Sequence, residues 1–90
     1  MSGEPDQYVP EMCEIWGAVL DGPVGPDDDF FTLGGDSLVA VEIEIQVEQR
    51  LGLEIDFADF FAAPTPRQLT LTAHARSIDG NQTGAGLGQP

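Results

Sequence analysis

The residues with the most chemical potential in this chain of 90 stand around Ser37, which follows Gly34, Gly35 and Asp36 and precedes Leu38. A serine in such a run can be a helix cap, a nucleophile, or a hydroxyl to which another enzyme attaches a group. The simplest reading is a turn followed by an N-cap, with Asp36 or Ser37 accepting hydrogen bonds from first-turn amides, an interaction worth about 1 kcal/mol. If Asp36 takes the cap, Ser37 becomes the first helical residue. Its hydroxyl then faces solvent where the helix dipole and free amides favour a phosphate group. A serine that acts as its own catalytic nucleophile needs a base within hydrogen-bond reach. The chain has one histidine, His74, and the pattern puts it on a different helix. No catalytic residue is expected.

Other candidates are weaker. Asp27, Asp28 and Asp29 suggest a calcium loop, but counting from Asp27 puts Thr32 where such a loop needs Gly and Leu38 where it needs Glu. A solvated turn is expected, and no metal site. Cys13 is the single cysteine, so there is no internal disulfide framework or clustered thiolate zinc site. With no cation or histidine near it in sequence, a small, partly buried, unreactive thiol is expected.

Charge narrows the partners. The formal net charge is −13, and the only cations are Arg50, Arg67 and Arg76, so the first 49 residues carry no Lys or Arg. Such a field repels phosphate backbones and anionic membrane surfaces and attracts basic patches. Neither nucleic acid nor a membrane is an expected partner. No apolar run approaches the roughly 20 residues of a membrane span, and MSGEPDQY lacks the features of a secretory signal. The reading is a cytoplasmic monomer.

These residues need elements to position them. Met12, Ile15, Trp16, Val19 and Leu20 make one stripe of a first helix, with Pro10 in its first turn and Gly22 as its stop. Residues 21 to 36 form a long Gly, Pro and Asp-rich connection that Phe30, Phe31 and Leu33 are expected to pin to the core. Val41 to Glu48 alternates apolar and polar like a strand, yet no second convincing strand exists, and a lone strand cannot satisfy its backbone groups. Read as a helix over 37–51, Ala40, Ile43, Val47 and Leu51 share a core face, with Gly52 as a stop. That leaves Leu38, Val41 and Ile45 on a second stripe, either covered by a neighbouring helix or open as a docking surface. Of these, Ile45 is expected to be the packed one and Leu38 the open one.

Phe57 to Phe61 reads as a short aromatic helical turn ending near Pro64. Thr65-Pro66-Arg67-Gln68 has the capping-box pattern that opens a last helix through roughly Ile78. The fold class is therefore all-α, a small four-helix bundle with three longer helices and one short. Residues 1–7 are read as a flexible N-terminus, 8–78 as the domain, and 79–90 as a disordered C-terminal tail.

The letters Gly35-Asp36-Ser37-Leu38 spell the signature of the GDSL esterases, but that resemblance fails. Those enzymes are larger α/β folds with a late Asp-x-x-His, and here Leu71 stands three residues before His74. The resemblance that fits is to the peptidyl and acyl carrier proteins of thiotemplate biosynthesis, over about Met12 to Ala75. It is carried by the first-helix stripe with Trp16, by Asp28-Asp29-Phe30-Phe31, by Leu33-Gly34-Gly35-Asp36-Ser37-Leu38, by Leu51-Gly52-Leu53, by Phe60-Phe61 and by Pro64-Thr65. This resemblance implies that a separate phosphopantetheinyl transferase with Mg²⁺ joins the 4′-phosphopantetheine of coenzyme A to Ser37, with Gly35 and Asp36 shaping the attachment site. It implies a non-catalytic carrier whose arm holds thioester-bound intermediates and whose Leu38 and Val41 meet partner proteins. LGGDSL is closer to the peptidyl carriers of nonribosomal peptide synthesis than to the fatty-acid type. The implied cargo is aminoacyl or peptidyl, in nonribosomal peptide or hybrid peptide-polyketide biosynthesis. The implied partners are adenylation and condensation enzymes, together with tailoring or thioesterase enzymes. A free-standing protein and an excised domain would look alike. Outside this class, the competing reading is an unmodified acidic helical adaptor using the Leu38, Val41 and Ile45 stripe.

Overall fold

A computed structural model of the chain describes residues 5–87, and side-chain environments over 6–77. Four α-helices follow one 3₁₀ turn at Pro5–Gln7: α1 (Val9–Leu20), α2 (Ser37–Leu51), α3 (Asp59–Ala62) and α4 (Pro66–Leu87). There is no strand among the described residues. The alternating stretch Val41 to Glu48 is helical because its amides and carbonyls bond within α2, where a strand would have had no partner.

Helix α1 is the hub, packing against both α2 and α4, while the short α3 packs on α4. The core takes Met12, Ile15 and Trp16 from α1, Ala40, Ile43 and Val47 from α2, and Leu69 and Ala73 from α4. Leu51, the last member of the expected α2 face, is half-buried against that cluster. At the centre three rings meet: Trp16 and Phe30 at 5.4 Å, Trp16 and Phe60 at 5.9 Å, Phe30 and Phe60 at 4.4 Å between centroids. Each ring comes from a different part of the chain, so their contact closes the bundle. The Trp16 indole N–H is buried without a hydrogen-bond partner among the described residues, and nothing in the packing explains it.

Helix boundaries follow local chemistry. Pro10 lies in the first turn of α1, and the helix ends at Asp21, which takes the left-handed conformation (φ 62°) and donates its N–H to the Gly17 carbonyl. The sequence pointed to Gly22 as the stop; the left-handed position falls one residue earlier, where a short polar side chain tolerates it. Gly52 ends α2 with φ 69°. Thr65 Oγ1 accepts the Gln68 N–H at 3.1 Å and opens α4. The backbone of α4 runs to Leu87, past the end expected near Ile78. Side chains from 78 onward, and with them the packing of the 79–90 tail, lie outside the described residues. Within the 1–7 stretch, residues 5–7 form the 3₁₀ turn, packed against α1 and α4.

The connection from 21 to 36 is tied down along its length. Phe30 N–H donates to the Pro64 carbonyl at 2.7 Å, and Arg67 N–H to the Pro26 carbonyl at 3.0 Å. Asp28 accepts from the Gly25 amide at 2.8 Å, and Asp29 from the amides of Phe31 and Thr32 at 2.9 and 3.1 Å. Asp27 pairs with Arg67 through bonds of 3.0 and 3.2 Å. All three aspartates thus shape the loop, beyond the solvated turn expected of them. Phe30 and Leu33 pin it as expected, whereas Phe31 is exposed and stacks on Phe61 at 5.1 Å.

Candidate functional site

The end of that connection delivers Ser37. Gly34 has φ 95°, a region glycine enters without steric cost. Gly35 comes next, and a Cβ built on it would stand 2.4 Å from the Phe30 ring. The chain therefore turns onto α2 by pressing bare backbone against a core aromatic. This gives Gly35 a reason inside the fold: it lets the loop close over Phe30.

Asp36 has extended backbone and accepts the Val39 N–H through Oδ1 at 3.1 Å, which makes it the N-cap of α2. Ser37 is thereby the first helical residue. It is exposed, and among the described residues nothing hydrogen-bonds to its hydroxyl. The amides of Ser37 and Leu38 precede the first intrahelical donor and have no acceptor among the described residues. A solvent-facing hydroxyl beside two free amides at the positive end of a fifteen-residue helix suits a phosphate ester.

His74 lies half-buried on α4 with its ring 6.0 Å from that of Tyr8. The Cys13 thiol is half-buried, and burial together with Asp28 raises its pKa above the ordinary thiol value. It is held as the weakly nucleophilic thiol form. No group of three or more His, Cys, Asp or Glu side chains able to hold a metal ion occurs among the described residues.

Along α2 the second stripe is open. Leu38 is 78% exposed, Val41 46% and Ile45 49%. The expectation that Ile45 would be packed is overturned: the neighbouring elements cover only the face carrying Ala40, Ile43 and Val47. These apolar groups border a depression of about 480 Å³ between α2 and Val19 of α1.

The surrounding field is acidic, as the net charge of −13 requires, and the structure adds where the few cations sit. All three arginines are engaged inside the fold: Arg50 with Glu11 at 2.9 Å and Glu14 at 3.4 Å, Arg67 with Asp27 at 3.0 Å, and Arg76 with Asp59 at 2.6 Å. Sequence reasoning did not find these pairs, because partners up to 40 residues apart leave no local signal. Arg76 holds the Asp59 carboxyl below its ordinary range by hydrogen bonding. Glu44 moves the other way, raised by partial burial and then by the nearby charges of Asp56 and Asp59.

Residues 10–72 match the family described as the phosphopantetheine attachment site, a segment that contains the whole turn and all of α2. Among curated proteins, the chain is 44% identical over 76 residues to a nonribosomal peptide synthetase of Aspergillus ustus, covering 81% of this chain and 2% of that protein. It is 36% identical over 73 residues to pyochelin synthetase of Pseudomonas aeruginosa, covering 80% of this chain and 5% of that one. The chain thus spans a few per cent of the length of the curated relatives it matches. Among solved structures, a type-II acyl carrier protein of Streptomyces verticillus involved in bleomycin biosynthesis superposes with a TM-score of 0.72 at 29% identity, over 79% of this chain and 87% of that one. An active-site mutant of a peptidyl carrier protein gives 0.71 at 32% identity, over 79% and 80%. The all-helical frame, the tight turn onto α2 and these matches converge: the chain belongs to the phosphopantetheine attachment family and is a carrier-protein domain of the peptidyl carrier type.

Proposed function

We propose that Ser37 receives the 4′-phosphopantetheine arm and that the domain shuttles aminoacyl or peptidyl thioesters in nonribosomal peptide or hybrid biosynthesis. One observation carries the assignment: within the family segment, Ser37 offers an exposed, unbonded hydroxyl at the first residue of the helix that follows the Gly34-Gly35 turn. In the transfer, Ser37 Oγ forms a bond to the phosphorus that bears the pantetheine of coenzyme A. The pyrophosphate bond breaks, 3′,5′-adenosine bisphosphate leaves with the electron pair, and the hydroxyl proton goes to a base on the transferase. With no base bonded to Ser37 among the described residues, the chemistry falls to that Mg²⁺-dependent transferase.

When bound, the arm supplies the thiol on which cargo rides as a thioester. Cys13 is a poor substitute, because its half-buried thiol is held protonated. Asp36 fixes the serine at the helix start, and Leu38 and Val41 form the surface that partner enzymes meet. Those partners are the transferase, adenylation and condensation enzymes, and tailoring or thioesterase enzymes, in the cytoplasm, with the carrier as a monomer. Tethering turns successive encounters with cargo into docking of one domain and raises effective concentration without catalysis by the carrier.

Intact-mass spectrometry after incubation with coenzyme A, Mg²⁺ and a broad-specificity transferase tests the assignment. The expected result is the mass of one arm on the native chain and on Cys13→Ser, and none on Ser37→Ala. Modification of a folded Ser37→Ala variant would overturn it.

A further inference from the structure

Three exposed phenylalanines form a ladder that ends at the attachment turn. Phe57 meets Phe61 edge-to-face at 5.1 Å, Phe61 stacks on Phe31 at 5.1 Å, and Phe31 meets the buried Phe30 edge-to-face at 5.0 Å between ring centroids. Phe31 is 41% exposed, Phe57 38% and Phe61 60%, so none of the three is a core residue. Phe31 opens the turn that delivers the serine. Its carbonyl accepts the Gly34 N–H at 3.1 Å, the Phe30 carbonyl accepts the Gly35 N–H at 2.9 Å, and the next two residues are the Asp36 cap and Ser37. The Phe30 end of this turn is fixed by the core, whereas the Phe31 end stands in solvent and leans on Phe61.

Phe61 can serve as a brace because α3 is itself anchored. The four residues of α3 lie far below the roughly 12 at which a helix persists alone in water. Asp59 ties this single turn to α4 through Arg76, with bonds of 2.6 and 2.8 Å, and the same guanidinium donates to the Glu54 carbonyl at 3.2 Å. Phe60 holds the other side of α3 in the core. An anchor on α4 is thus passed through α3 to a ring that faces the loop before Ser37.

We infer that Phe61 is a positioning residue for arm transfer: by bracing Phe31 it keeps the Phe31–Gly34 turn closed and holds Ser37 where the transferase meets it. The inference rests on attachment at Ser37. Phe61 acts through Phe31 and not on the reacting atoms. When its ring is lost the turn opens more often, and the fraction of carriers ready for transfer falls with it.

Amide hydrogen exchange and NMR spectra of the apo chain are compared among the native protein, Phe61→Ala, Phe61→Tyr, Phe31→Ala and the double alanine variant, with arm-transfer rates read by intact mass. Phe61→Ala, a change at an exposed position, should keep the core resonances of the native fold. Protection of its Gly34 amide should fall roughly 2- to 12-fold, the factor one ring pair gives, the Ser37 amide should shift, and arm transfer should slow by up to the same factor. Phe61→Tyr keeps the ring and should behave as native. The double variant should transfer no more slowly than Phe31→Ala, because the brace has nothing left to hold. Unchanged Gly34 protection in Phe61→Ala would overturn the brace and leave attachment at Ser37 standing. Losses that add in the double variant would overturn it too, making the two rings a contact surface for the transferase. Absence of the added mass on the native chain would overturn attachment and the inference with it.

Discussion

Gly35 and Phe30 are pressed together so closely that a Cβ on the glycine would lie 2.4 Å from the ring's Cζ and 2.5 Å from both Cε atoms. Phe30 is fully buried and boxed in by Trp16 and Phe60, so its ring has nowhere to go. Gly35→Ala is therefore expected to cost about 1–3 kcal/mol as an overpacked core. For a domain of this size each kcal/mol lowers the melting temperature by roughly 4–8 °C. Gly34→Ala meets no atom within 4 Å and suffers only from its φ of 95°, at about 1 kcal/mol. Calorimetry of the two variants should rank Gly35→Ala as the more damaging; the reverse order would contradict the packing described.

Asp36 acts on Ser37 through the helix start. Asp36→Ala should cost about 1 kcal/mol through loss of the Val39 cap, while Asp36→Asn, which keeps an acceptor, should cost much less. Fraying of the first turn would also slow arm transfer at Ser37. Urea melts combined with transferase rates measure both effects, and an Asp36→Ala domain as stable as the native one would remove Asp36 as the cap.

Val47 and Val41 stand six residues apart on α2 and face opposite fates. Val47→Asp puts an unpaired charge where exposure is nil and should unfold a domain whose whole stability is about 5 kcal/mol. Val41→Asp, at 46% exposure, should change stability by no more than about 0.5 kcal/mol while weakening capture by partner enzymes. Equal collapse of both variants would reverse the assignment of the helix faces.

Asp59 and Glu44 give opposite pH dependences. Asp59's folded pKa is lowered, first by its hydrogen bonds to Arg76, so its contribution is present above the ordinary carboxylate pKa and is lost as pH falls through the folded value. Arg76→Gln should cost about 1–3 kcal/mol at neutral pH, because the half-buried carboxylate loses its partner, and the deficit should shrink in acid. Glu44's folded pKa is raised, so its stabilising contribution is present below the ordinary value and disappears as pH climbs through the folded one. Glu44→Gln should therefore raise the melting temperature at pH 7, with the gain fading as pH falls into the ordinary carboxylate range. Melts across pH 3–8 read both, and a gain from Glu44→Gln that grew in acid would refute the sign.

The sequence by itself determined the helix count and the core face of α2, and it narrowed the cap of that helix to Asp36 or Ser37, a choice the Val39 amide bonded to Asp36 then decided. These follow from capping chemistry and a 3.6-residue period, both of which act between neighbours in the chain. The helical answer for Val41 to Glu48 also came from sequence, by the argument that a lone strand has no partner. Only the tertiary structure decided that Ile45 is open, since exposure depends on which helix lies across the stripe. It alone gave Gly35 its contact with Phe30, committed all three arginines to partners distant in sequence, and left a groove between Val19 and the exposed face of α2. Such features arise where segments far apart in the chain meet, and local periodicity carries no record of those meetings.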